Sequence, residues 1–306
     1  MLRHYLAIAR PDHWFKNIFV LPGVAVALLL EPGHAGGLTL PLLLGLAATC
    51  LTASANYVIN EYLDREFDRH HPTKRLRPSA QGLIRPVPML LEYLLLAAAG
   101  LGLGWLVGTR FAIFAAILLG MGLIYNVPPV RTKDRIFLDV LSESVNNPLR
   151  FLLGWSIVIQ AALPPSSVLL AYWCGGAFLM SVKRYAEYRH IDDPARAGAY
   201  RRSFAAYTEG RLLLQSFFYA INSSFFLGIF LIKYRIEFLL SFPFFAALFT
   251  WYLYIGLKAD SAAQAPERLW REWRFMLFVG LLAAVVLGLF FVDIPLLHRL
   301  LQVNVY

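Results

Sequence analysis

Between residues 54 and 80 the chain reads SANYVINEYLDREFDRHHPTKRLRPSA, opening in an apolar run and closing in dense charge. Arranged as a helix, Asn56, Asn60, Asp64 and Asp68 recur every four residues and line one face. Two carboxylates and an amide oxygen are hard ligands of the kind magnesium takes, together with phosphate oxygens from a substrate. Lys74, Arg75 and Arg77 follow directly, three cations suited to the non-bridging oxygens of a phosphate. The plainer reading pairs Asp64 and Asp68 with Arg65 and Arg69 along a solvated helix. Because this helix leaves a membrane, the ligand reading is favoured.

Two further clusters carry the same kind of chemistry. In YNVPPVRTKDRIFLDVLSESVNNPLR, residues 125–150, the proline pair ends one helix and Asp139, Glu143, Asn146 and Arg150 recur at helical spacing in the next. Asp139 stands near Arg131 and Lys133, so an acid from each of two helices can face a shared metal; Glu143 and Arg150 also suit hydrogen bonding between helices. In residues 183–211, Lys183 and Glu187 lie one turn apart, and Arg201, Arg202 and Tyr207 fall on a short helix that suits a phosphate-binding lid. His70, His71 and His190 lack zinc-ligand spacing.

The elements that must position these groups are membrane spans. Of 306 residues 58% are hydrophobic and 15% charged, with a mean hydropathy of +0.58. Apolar runs near 15–31, 38–60, 87–107, 110–127, 138–162, 166–188, 211–232, 236–257 and 273–292 predict about nine transmembrane helices. The expected fold is therefore an all-α polytopic bundle, a single domain over 1–306. The opening LRHYLAIARPDHWFKN suits an interfacial helix anchored by Trp14 and Lys16, and the closing PLLHRLLQVNVY is too short to span. No cleavable signal sequence is read at the start. Cys50 and Cys174 sit in apolar runs as buried hydrophobes.

With the N-terminus inside, all 28 Lys and Arg except Arg110, Lys233, Arg235 and Arg299 face the cytoplasm. Most acids crowd the same side, including Glu61, Asp64, Glu66, Asp68, Asp134, Asp139, Glu187, Asp192, Asp193 and Glu209. Acids contribute little to topology, so a polar cytoplasmic chamber above a lipid-facing bundle is expected. A transporter would continue its polar residues through the bilayer, whereas these thin out toward the outer face.

The Asn-x-x-x-Asp-x-x-x-Asp run from Asn60 to Asp68, the Tyr125…Lys133…Asp139 run and the helix count resemble the UbiA-type intramembrane prenyltransferase superfamily. Asn60-Glu61 stands where its members usually show Asn-Asp. DRHHPTKRLRP (68–78), AYRRSFAAYTEG (199–210) and GLKADSAAQAPERLWRE (256–272) look most like the decaprenyl-phosphate phosphoribosyltransferases, with His71-Pro72-Thr73-Lys74 the most specific match. YNVPPVRTK resembles the more general pattern of lipid and pigment prenyltransferases and is about three residues longer than the phosphoribosyl branch would have it.

This resemblance implies transfer of 5-phosphoribose from phosphoribosyl pyrophosphate to a polyprenyl phosphate in a bacterial inner membrane. Magnesium on Asn60, Asp64, Asp68 and Asp139 would hold the diphosphate, and Lys74, Arg77 and Lys133 would neutralise it. Tyr125, Arg131, Lys183, Arg201, Arg202 and Tyr207 complete the expected substrate contacts. The alternative is a prenyltransferase using a polyprenyl diphosphate and a small acceptor. No nucleic-acid partner is expected, and a homo-oligomer is allowed.

Overall fold

A computed structural model describes residues 2–301 apart from 35, 71, 72, 192 and 265, leaving out also the side chains of 194 and 266–268. The expected His71-Pro72 match, Asp192 and the tail beyond 301 lie outside the described residues. Every regular element among the described residues is helical, as the all-α reading requires.

The chain opens with α1 (Leu2–Ala9), a 3-10 segment (Pro11–Val20) and α2 (Leu21–Leu30). Then come α3 (Thr39–Leu63), α4 (Arg65–Asp68), α5 (Pro86–Val107), α6 (Thr109–Asn126), α7 (Leu138–Ser144) and α8 (Asn146–Val158). Next are α9 (Ser166–Ile191), α10 (Pro194–Tyr200), α11 (Glu209–Tyr234), α12 (Phe242–Leu257), α13 (Trp273–Phe291) and α14 (Pro295–Leu300). The residues pack as two compact units: 1–164 with 193–207, and 165–192 with 208–306.

Among the described residues, seven helical stretches are long and apolar enough to cross a membrane, from Leu2–Leu30 through Trp273–Phe291. The nine expected spans do not map one for one onto them. The run at 138–162 is split at Val145 into α7 and α8, neither long enough to cross alone. The run at 166–188 forms α9, whose 26 residues suffice in length but end in Lys183, Arg184, Glu187 and Arg189. The chain is an integral membrane protein, and exposed Leu94, Leu95 and Trp105 on α5 or Phe217, Phe218 and Phe225 on α11 are its lipid-facing surface.

In the first unit Ile8, Ala55, Val58, Met89, Tyr93 and Leu119 form a core shared by α1, α3, α5 and α6. Trp14, expected as an interfacial anchor, donates to Ser54 Oγ at 2.9 Å. Helices α2 and α8 approach backbone to backbone. A Cβ at Gly23 would lie 2.0 Å from the Phe151 carbonyl, and one at Gly154 would lie 1.9 Å from that of Val20.

In the second unit α9 and α11 run side by side, tied by Ser223 Oγ donating to the Ala171 carbonyl at 2.9 Å. Arg184 and Glu187 form a buried pair one turn apart at 2.8 Å. Phe244, Trp251, Phe275 and Phe278 interleave α12 with α13.

Candidate active site

The end of α3 sets the position of the first acids. The helix stops at Leu63, Asp64 takes the capping position, and four residues of α4 carry the chain to Asp68. The Asn60–Asp64–Asp68 face expected of one continuous helix is therefore broken at its middle residue. Neither acid pairs with its neighbouring arginine. Arg65 turns to the Tyr62 carbonyl and Glu66, while Arg69 donates to the Ala80 carbonyl.

Asp64 instead meets two cations from the loop after α6. Lys133 Nζ lies 2.5 Å and Arg131 Nη2 2.8 Å from its Oδ1. Lys133 is also held by Asn60 Oδ1 at 3.1 Å and Asn126 Oδ1 at 2.7 Å. Burial would raise the Asp64 carboxyl, but Lys133 and Arg131 outweigh it and hold the group below the usual carboxylate range. Lys133 is pushed down to about 8, chiefly by burial and against the pull of Asp64. The backbone at Arg131 and Phe137 has positive φ, 25° and 65°. Such conformations persist where surrounding contacts over-determine them, and they cluster at functional sites.

Asp68 is buried and bound by Arg77 Nη1 at 2.6 Å. Its desolvation outweighs Arg77 and Lys74 and raises its carboxyl above the ordinary value. Lys74 donates to the Tyr200 hydroxyl. Arg131 also reaches Asp134 at 3.1 Å, and Arg202 approaches the same oxygen at 3.5 Å. Both guanidiniums lie over the Phe67 ring, at 5.0 and 5.4 Å from its centroid.

Asp139 is fully buried on α7. Tyr207 donates to its Oδ1 at 2.7 Å and Ser203 to its Oδ2 at 3.1 Å. Tyr207 also accepts from the Phe137 N–H at 2.9 Å. Tyr125 donates to Glu143 Oε2 at 2.7 Å and accepts from Arg201 at 3.4 Å. The segment 201–207 is thus bolted to α6 and α7 by Arg201, Ser203 and Tyr207, while Arg202 remains two-thirds exposed. Asp193 starts this segment by capping α10, accepting from the Ala195 N–H at 2.9 Å.

Of the sequence-expected residues, Asn60, Asp64, Arg131 and Lys133 meet directly, Asp68 pairs with Arg77, and Asp139 with Tyr207. Lys183 lies half-buried on α9 in the second unit. Glu61 turns to a different partner from Asn60, pairing in a buried position with Arg10 at 2.7 Å. Sequence reasoning missed Asn126, Phe67, Tyr200 and Ser203. Their signals were ordinary, a lone amide or aromatic beside a charged motif.

Among the described residues, no three His, Cys, Asp or Glu side chains gather closely enough to hold a metal ion by themselves. The donor set nevertheless fits magnesium in its usual manner, one or two carboxylates completed by substrate phosphate oxygens. Both cations on Asp64 converge on Oδ1 and Arg77 takes Oδ2 of Asp68, so each acid keeps a second oxygen. Asp139 has each oxygen engaged by one hydroxyl, Tyr207 on Oδ1 and Ser203 on Oδ2.

Comparison with known proteins follows the same lines. The chain is 34% identical over 210 residues to decaprenyl-phosphate phosphoribosyltransferase of Mycolicibacterium smegmatis, covering 66% of this chain and 62% of that protein. It is 30% identical over 210 residues to the protein of that name from Mycobacterium tuberculosis, covering 65% and 64%. The matched segment spans less than two thirds of the length of these relatives. The structure of a UbiA homologue from Archaeoglobus fulgidus, bound to DMAPP and Mg2+, superposes with a TM-score of 0.71 at 22% identity, covering 94% of this chain and 99% of that one. The model of the UbiA prenyltransferase family matches residues 19–279, and the chain belongs to that family.

Proposed function

We propose that this chain transfers 5-phosphoribose from phosphoribosyl pyrophosphate to a polyprenyl phosphate at the cytoplasmic face of a bacterial inner membrane, with residues 1–306 acting as one functional domain. The observation that carries the reading is the pair of cations, Lys133 and Arg131, converging on Asp64. They do so in a chain 34% identical to a decaprenyl-phosphate phosphoribosyltransferase. Asp64, Asp68 and Asn60 would hold magnesium, which when bound neutralises charge on a departing diphosphate.

Lys133, Arg131, Lys74 and Arg77 bind and orient the diphosphate from the protein side. The ribose C1–oxygen bond to diphosphate breaks as an oxygen of the lipid phosphate bonds to C1 from the opposite face. The pair of electrons leaves with diphosphate. That nucleophile is already anionic near neutral pH, so no side chain has to remove a proton. Catalysis is positioning and electrostatic stabilisation, which act most strongly where water is excluded. Tyr207 and Ser203 keep the Arg201–Arg202 segment on α7 through Asp139, so Arg202 presents its charge to a second phosphate. Lys183 is a candidate phosphate contact on its own unit.

The test offers membranes containing the chain radiolabelled phosphoribosyl pyrophosphate with polyprenyl phosphate, or a labelled prenyl diphosphate with small aromatic acceptors. Label should enter lipid from the sugar donor only, and Asp64→Asn should lower that rate by about a hundred- to thousandfold. Transfer from the prenyl donor alone would replace this reading with a prenyltransferase.

A further inference from the structure

A second polar group in the first unit has no role among the contacts assigned above. Arg150, half-buried on α8, donates from Nε to Asn17 Oδ1 at 3.1 Å and from Nη1 to the Asn146 carbonyl at 3.4 Å. Asn17 is 2% exposed and donates in turn to Cys50 Sγ at 3.2 Å. Among the described residues no carboxylate lies within ion-pair distance of Arg150, although Arg10, Arg131 and Lys133 in the same unit each have one. Its two partners are neutral acceptors. An arginine at membrane depth normally finds an anion or marks a binding path.

Two further observations point to a ligand. The side-chain oxygen of Asn146 is buried without a hydrogen-bond partner, and an amide there can turn to offer either its NH2 or its oxygen. Cys50, Tyr57 and Asp64 recur every seven residues and so share one face of α3. Through Asn17 the guanidinium is linked to Cys50 on that face, within the membrane-spanning part of α3.

We propose that Arg150, with the Asn17 and Asn146 amides, binds a phosphate monoester. A bidentate guanidinium suits that group, and its two direct partners, both neutral, leave its charge to the ligand. The inference rests on the proposed reaction, in which two phosphate monoesters occur. These are the head of the polyprenyl phosphate and the 5-phosphate of the sugar donor. Depth toward the bilayer favours the lipid head.

The test uses the full chain in nanodiscs and measures KM for polyprenyl phosphate and for phosphoribosyl pyrophosphate in wild type, Arg150→Gln and Arg150→Lys. The expected result is a rise in KM for the lipid on the order of ten- to hundredfold in Arg150→Gln, partly restored in Arg150→Lys. A rise confined to phosphoribosyl pyrophosphate supports the site and assigns it to the 5-phosphate. Unchanged KM for both in a variant that melts like wild type overturns the proposal.

If Arg150→Gln fails to fold, Asn17→Asp supplies a carboxylate to the guanidinium while keeping the tie to α8. It must raise the same KM, and an unchanged value overturns the site. If the wild type makes no phosphoribosyl lipid, the reaction itself fails. The site is then judged separately, by whether polyprenyl phosphate raises the melting temperature of wild type and not of Arg150→Gln.

Discussion

Lys133 is buried among Asp64, Asn60 and Asn126, and its ammonium is pushed down to about 8 from an ordinary 10.5. Activity that depends on this charge falls as pH rises through about 8, by close to tenfold per unit on the alkaline side. Arginine stays charged across that range, so Lys133→Arg should lower the rate at pH 7 while removing the alkaline limb; a pH–rate profile of both proteins checks this. Stability moves the other way. The unfolded chain keeps this proton up to about 10.5 while the native one releases it near 8, so raising pH between those values favours the fold. Type and spacing singled out Asn60 and Asp64, and the resemblance added Lys133, three residues that the structure brings together. Their meeting was not legible, because Lys133 reaches back 73 residues to Asn60 and Arg131 reaches back 67 to Asp64. Periodicity gives the face of a helix; it does not say which distant loop covers that face.

Element by element, apolar runs located most helices but not their interruptions. Nothing apolar distinguishes Val145, where α7 gives way to α8, or Asp64, where α3 ends. The run containing Val145 therefore reads as one span in the sequence. Glycines at close approaches were likewise indistinguishable from those facing lipid. Gly154 packs against the Val20 carbonyl with no room for a side chain, whereas a Cβ at Gly280 or Gly288 would meet nothing within 4 Å. Gly154→Leu should therefore separate α2 from α8 and destabilise the protein by about 1–3 kcal/mol or more. Gly288→Leu should be close to neutral, and thermal unfolding in detergent compares the two.

For the whole molecule, apolar content foretold an integral membrane protein, and the Asn60–Asp68 and Tyr125–Asp139 runs carried the resemblance to the UbiA family, whose model covers residues 19–279. If Asp64 and Asp68 depend on magnesium to receive a diphosphate, chelation should remove activity without unfolding the protein, since cationic partners already hold both acids in the native structure. Activity assayed after EDTA treatment, beside a thermal melt, checks both halves, and added magnesium should restore turnover.

The division of the chain has its own consequence for synthesis. Residues 193–207 belong to the first unit but emerge only after α9, the opening helix of the second. The buried carboxyl of Asp139 gains its Tyr207 and Ser203 hydroxyls only when that late segment arrives. A nascent chain arrested near residue 164 would carry every acid of the site and lack the clasp that closes it. Gene halves cut there could not each rebuild a whole unit, whereas a break after 207 would leave the first unit with all of its parts.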